Sequence, residues 1–185
     1  MATIDLYEDS NRHPALVLSD FKLSAEARDL MSDVRNTRGF LGRLTDAELF
    51  TDSFGVLARA LPKNFAIVWA LECVKSTDGA GRTESAAQCF QVVERWLAAP
   101  DEAGRRQAME AAEAADYDSA EAFLAAAVGW SSGSVAPEGE VEVRPPDQLT
   151  AVAVAACLTM VVASEPELMK QRCGEFIERG LAMVA

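Results

Sequence analysis

Gly129-Trp-Ser131-Ser-Gly133 is the string in this chain that has the form of a catalytic motif. It matches G-x-S-x-G, the elbow that raises a nucleophilic serine between a strand and a helix. That chemistry also needs a histidine later in the chain to take the hydroxyl proton. Here the string follows an Ala-rich helical pattern and leads into an extended run, and the sole histidine, His13, precedes it. A Ser131-dependent hydrolase is therefore the alternative reading of this string. The plainer reading is a helix C-terminus, in which Gly133 takes positive φ and the serine hydroxyls bond the last free carbonyls.

The other reactive residue types form no catalytic pattern. Glu110 and Glu113 lie beside Arg106 on what reads as a solvated helix face. The Gly79-Ala-Gly81 turn lacks the preceding strand and the Lys-Ser/Thr of a phosphate loop. Cys73, Cys89, Cys157 and Cys173 form no CxxC pair and sit in apolar helical patterns, so they read as reduced core residues. With one histidine in the chain, no zinc site is expected. No cofactor and no metal are expected.

The segment that carries the motif divides the chain. From Gly129 to Leu149 an aromatic residue meets a Gly/Ser turn, an acidic extended run and the pair Pro145-Pro146. We read 131–146 as a Pro-rich crossover joining helical halves 24–130 and 147–185. Residues 1–23 read as an extended arm in which Pro14 breaks any helix.

Ser24 and Asp101 are expected to cap helices, and Thr45–Glu48, Asp118–Glu121 and Ser164–Glu167 have the spacing of capping boxes. Thr37–Arg43, with Gly39 and Gly42, reads as a connector. Phe50, Phe54, Leu57, Ala58 and Leu61 form a helical stripe, Trp69 reads as a core anchor, and Ala120, Phe123, Leu124, Ala127 and Val128 give an amphipathic stripe. Val152 to Ala163 is apolar almost all round, as a central helix is. The fold expected is all-α, a single domain of seven to eight helices in an orthogonal or solenoid-like bundle.

The 185 residues carry 17 basic and 29 acidic side chains, a formal charge of −12. Such a surface repels phosphate backbones and anionic headgroups, so neither nucleic acid nor a membrane is expected as a partner. Arg35/Arg38/Arg43 and Arg105/Arg106 are short basic clusters among acids or glycines and read as solvated faces. No basic-apolar leader opens the sequence and the longest apolar run is too short to span a bilayer, so a cytoplasmic location is expected.

Three stretches carry a resemblance: LPKNFAIVWALECV (61–74), ERWLAAPDEAGRRQAMEAAEAA (94–115), and WSSGSVAP with RPPDQLTAVAVAA in the crossover region. In this order they resemble an uncharacterised family of bacterial helical proteins whose genes often lie near type VI secretion components. The resemblance spans about residues 24–183 and transfers no catalytic residue. It implies an accessory protein that holds or loads an effector or spike component.

The residue-level expectation is a non-enzymatic adaptor that contacts a protein partner through Trp130, Ser131, Ser134, Pro137 and Arg144. A self-associating homodimer is the other alternative.

Overall fold

The computed structural model describes residues 13–77, 81–137 and 139–183. Those residues form ten α-helices and no strand: α1 (Pro14–Val17), α2 (Ala25–Leu30), α3 (Thr37–Asp46), α4 (Phe50–Ala60), α5 (Lys63–Lys75), α6 (Glu84–Ala98), α7 (Glu102–Ala114), α8 (Ala120–Gly129), α9 (Leu149–Ala163) and α10 (Met169–Ala182). A 3-10 turn, Pro166–Leu168, precedes α10. Eight of the helices are seven residues or longer, so the expected all-α bundle is what the chain forms.

Two helices make the centre. α8 and α9 pack along one another; α8 also meets α5, α6 and α7, while α9 meets α4 and α5. α8 is buried on nearly every side, because Ala122 and Ala125 to Ala127 let neighbouring backbones come close. It is thus a core helix rather than the one-faced amphipathic helix expected. α9 holds the central place expected of it, although Val152 and Met160 reach the surface. α9 and the Pro166–Ala182 segment meet at 106°, an orthogonal corner.

Trp69 is fully buried and anchors the other end of the core, as expected. Its Nε1–H donates to the Phe176 carbonyl at 2.7 Å, and Phe54 meets it edge-on at 6.2 Å. Gly180 lets α10 cross this indole: a Cβ there would stand 2.8 Å from Trp69 Cε2 and 2.7 Å from Leu57 Cδ2.

Several local expectations are corrected. Residues 13–23 are not simply extended. Pro14 occupies the first turn of α1, where a missing N–H costs nothing, and His13 Nδ1 caps it by accepting from Ala15 N–H. The arm does lie on the body, with Leu18 and Leu23 buried; the part expected over residues 1–12 falls outside the described residues. Thr37–Arg43 is helix rather than a connector, capped by the Asn36 side chain, and Phe40 and Leu41 are buried.

Ser24 and Asp101 cap their helices as read, but the three capping boxes do not form. Thr45 and Ser164 sit at helix ends and donate backwards, to the carbonyls of Leu41 and Val161 at 2.8 Å each. In the second box Ser119 is the cap, and Glu121 turns to Arg82 instead. α9 begins at Leu149, two residues after the expected Asp147. Most of the Asp78–Gly81 turn and Val184 lie outside the described residues.

Candidate functional site

The crossover leaves α8 at Gly129 and returns to the core at α9, and its shape is set by a side chain far from it in sequence. Arg105, on α7, is 2 % exposed. It donates to the Gly129 carbonyl through Nη1 and to the Ser134 carbonyl through Nη2 at 2.7 Å. The same guanidinium bonds both oxygens of Glu102, one turn earlier, at 2.7 Å each. Arg106 adds a bond to the Ala136 carbonyl at 3.0 Å. The expected solvated face at Arg105/Arg106 is therefore corrected: Arg105 is buried because the crossover folds back over it and supplies its acceptors.

Electrostatics fit this clamp. Hydrogen bonding to Arg105 pulls the Glu102 carboxyl below its usual range, against a smaller opposing effect of burial. Gly133 has φ +66, as the sequence leads one to expect, and a Cβ there would meet Glu102 Oε2 at 2.8 Å and Arg105 Nε at 2.9 Å. The position needs glycine both for its backbone and for its closeness to the clamp.

Beyond Gly133 the loop closes on itself. Val135 N–H donates to the Val143 carbonyl at 2.8 Å, while Ser134 Oγ accepts from the N–H groups of Ala136 and Val143. A single serine thus joins the two limbs. At its start, Trp130 lies on Tyr117 with centroids 6.1 Å apart and planes 16° apart. Tyr117 and Asp116 reach that position through two successive left-handed residues, φ +54 and +48, between α7 and α8. Such backbone costs about 1 kcal/mol or more for each non-glycine residue and persists where surrounding contacts determine it.

The five residues expected as contacts divide into two groups. Trp130, Ser131 and Ser134 are half-buried and engaged within the chain; Pro137 and Arg144 are exposed. Ser131 Oγ donates to the Val128 carbonyl at 2.7 Å, the capping role that G-x-S-x-G left open. His13 is occupied at α1. Arg144 pairs with Glu142 at 2.8 Å.

The apolar surface lies on residues not singled out in the sequence. Val141 is 86 % exposed, and Val143 and Val135 are exposed beside it in the loop. Next to them a groove of about 280 Å³ runs between α7 and the crossover, lined by Met109, Glu110, Glu113, Val135, Ala136 and Pro137 among others. Glu110 and Glu113 are exposed and make no ion pair among the described residues.

The four cysteines are free and buried. Burial pushes the Cys73 thiol up to about 12 and that of Cys173 to about 11, and raises those of Cys89 and Cys157 as well. None is poised as a thiolate at neutral pH. Among the described residues, no His/Cys/Asp/Glu cluster is placed to hold a metal, and no single helix is long and apolar enough to cross a membrane.

Fold and site together define an all-α domain with two central helices and an arginine-clamped crossover loop. The chain belongs to the family of unknown function DUF6931, whose model matches residues 40–184. No curated protein and no solved structure matches it.

Proposed function

We propose that this protein is a non-enzymatic adaptor that binds another protein through the crossover and the groove beside it, and that the partner presents a basic segment there. The observation that supports this most is the exposure of Val135, Val141 and Val143 on a loop whose shape a buried arginine fixes. A loop already held in shape loses little conformational entropy on binding, so its apolar contacts translate into affinity. Charge selects the partner. The chain carries −12, and Glu110 and Glu113 at the groove offer carboxylates to an incoming Lys or Arg.

The engagement of Ser131 as a helix cap supports leaving a serine hydrolase aside. The resemblance to proteins encoded near type VI secretion genes supports an effector or spike component as the partner, met in the cytoplasm. The same negative charge disfavours nucleic acid, anionic lipid and self-pairing through this face.

The test uses the full chain as bait in cells that encode it, beside two variants. Val141→Asp with Val143→Asp changes only exposed side chains, so it should keep the helical circular-dichroism spectrum of the parent chain and lose the partner. Trp130→Ala, which removes the stack on Tyr117, is expected to weaken capture. Undiminished capture by the folded double variant rules out the crossover as the interface. Light scattering on the purified chain tests self-association: a dimer that the double variant dissociates would replace the adaptor reading.

A further inference from the structure

The N-terminal arm covers one face of α4, and a glycine sets where it sits. Phe21 points its ring edge at Gly55: a Cβ there would stand 2.8 Å from Phe21 Cε2 and collide with Cζ. One turn on, the Arg59 guanidinium lies over the same ring, 4.3 Å from its centroid, and bonds the Gly55 carbonyl at 3.2 Å. Leu18 and Leu23, on either side of Phe21 in sequence, are buried. The ring thus fills a notch that a missing side chain leaves open.

Apart from this anchor the arm is held lightly. Among the described residues no hydrogen bond ties His13 to Leu23 to the helices beneath; the first is Ser24 N–H to Asp52 Oδ1 at 3.0 Å. Asp20 stands 3.6 Å from Arg59 Nε, beyond a hydrogen bond, with 36 % of its side chain exposed. The four-residue α1 buries Pro14 alone and leaves Leu16 exposed. Clefts of about 370 and 310 Å³ lie beside the arm, one towards α4 and α9 and the other towards α2. A segment fastened by so few contacts opens at a fraction of the cost of global unfolding.

What the arm covers is chemically specific. α4 presents a notch for an aromatic ring at Gly55, a cation at Arg59 and, at Asp52, an acceptor for a main-chain N–H. A segment meets all three with the order of residues 18–23, Leu-x-Asp-Phe-x-Leu, when the N–H of the next residue reaches Asp52. A turn closed by Phe21 N–H to the Leu18 carbonyl at 3.0 Å aims the ring. The acid then stands beside Arg59, and the ring takes both the notch and the face of the guanidinium.

We infer that this face of α4 is a peptide-binding groove that the arm occupies in cis, and that a partner segment with the same acidic-aromatic pattern displaces the arm. The tethered arm competes at about millimolar effective concentration, so it shuts out segments that bind no better than it does. The groove shares no lining residue with the one beside the crossover, and Arg59 selects an acid where Glu110 and Glu113 select a base.

The inference is independent of the adaptor reading and is tested separately, on the full chain. The Ser24 amide should exchange its hydrogen through local opening, at a rate that low urea leaves unchanged, while amides of α8 exchange only with global unfolding. Binding is followed by the anisotropy of a fluorescein-labelled peptide with the sequence of residues 16–24. Phe21→Ala, with the helical circular-dichroism spectrum of the parent chain, should bind it saturably. The parent chain should bind it about a hundredfold more weakly, because its own arm competes. Gly55→Ala added to Phe21→Ala fills the vacated notch and should abolish binding, as should alanine in place of the peptide's phenylalanine. Ser24 exchange that waits for global unfolding, no saturable binding to Phe21→Ala, equal binding to the parent chain, or binding that survives Gly55→Ala would each overturn the inference.

Discussion

Replacing Arg105 by Met tests the clamp directly. The substitution keeps most of the aliphatic volume and removes a guanidinium that bonds two carbonyls and one carboxylate. Hydrogen bonds to a charged donor contribute about 1.5–3 kcal/mol each. The two carbonyl bonds are the larger part, since the Gly129 and Ser134 carbonyls lose a buried donor. The ion pair adds little, roughly 0–1 kcal/mol, because Glu102 is half exposed.

Opposing this, the variant no longer desolvates a cation. The net expectation is a loss of about 3 kcal/mol, a large share of the roughly 5–15 kcal/mol typical of a domain. Urea unfolding measures it, and hydrogen exchange at Val135 and Val143 locates it, since these amides close the loop. Arg106→Met, which removes one carbonyl bond and a half-exposed guanidinium, is the internal comparison and should cost about 1 kcal/mol. A loss below about 1 kcal/mol for Arg105→Met, with both amides still protected, would refute the clamp.

Three further outcomes follow from the packing. Gly180→Ala drives a methyl into Trp69 and Leu57, so it should cost about 1–3 kcal/mol in urea unfolding and shift the Trp69 emission. Thr150→Val replaces a buried, unpartnered hydroxyl by a methyl and should stabilise the chain by about 1 kcal/mol. The thiols of Cys73 and Cys173 titrate higher in the folded chain than unfolded, so the unfolded state releases their protons first. Their contribution is complete below about pH 8.5, the ordinary thiol value, and is lost as pH rises through the folded values. The urea midpoint should fall in that window, and Cys73→Ala should flatten the decline.

What the sequence reveals is what short-range pattern decides. The caps at Ser24 and Asp101, the burial of Trp69, the central place of α9 and the left-handed Gly133 depend on residues within a turn or two of one another, and each was readable. The failed capping boxes show the limit of that information. The Thr45 and Ser164 hydroxyls can serve a helix ahead or a helix behind, and only the packed structure shows that they turn back. Arg105 is the clearest case of a site beyond local pattern. On an Ala- and Glu-rich helix it looks solvated, and its true partners lie 24 and 29 residues downstream on a loop. The glutamate three residues before it was the one visible signal, and such pairs are common on exposed helices. Likewise Val141 reads as part of an ordinary extended run, and its exposure depends on how Ser134 closes the limbs.

The central claim is that the clamped crossover is a docking surface, and a photocrosslink tests it most directly. A benzophenone amino acid in place of Val141, irradiated in cells that encode the protein, should yield one dominant adduct with a basic partner. The same probe at Leu16, also exposed but on α1, should not, and Val143→Asp should abolish the adduct. The same adducts from both positions, or an adduct unaffected by Val143→Asp, would contradict the account.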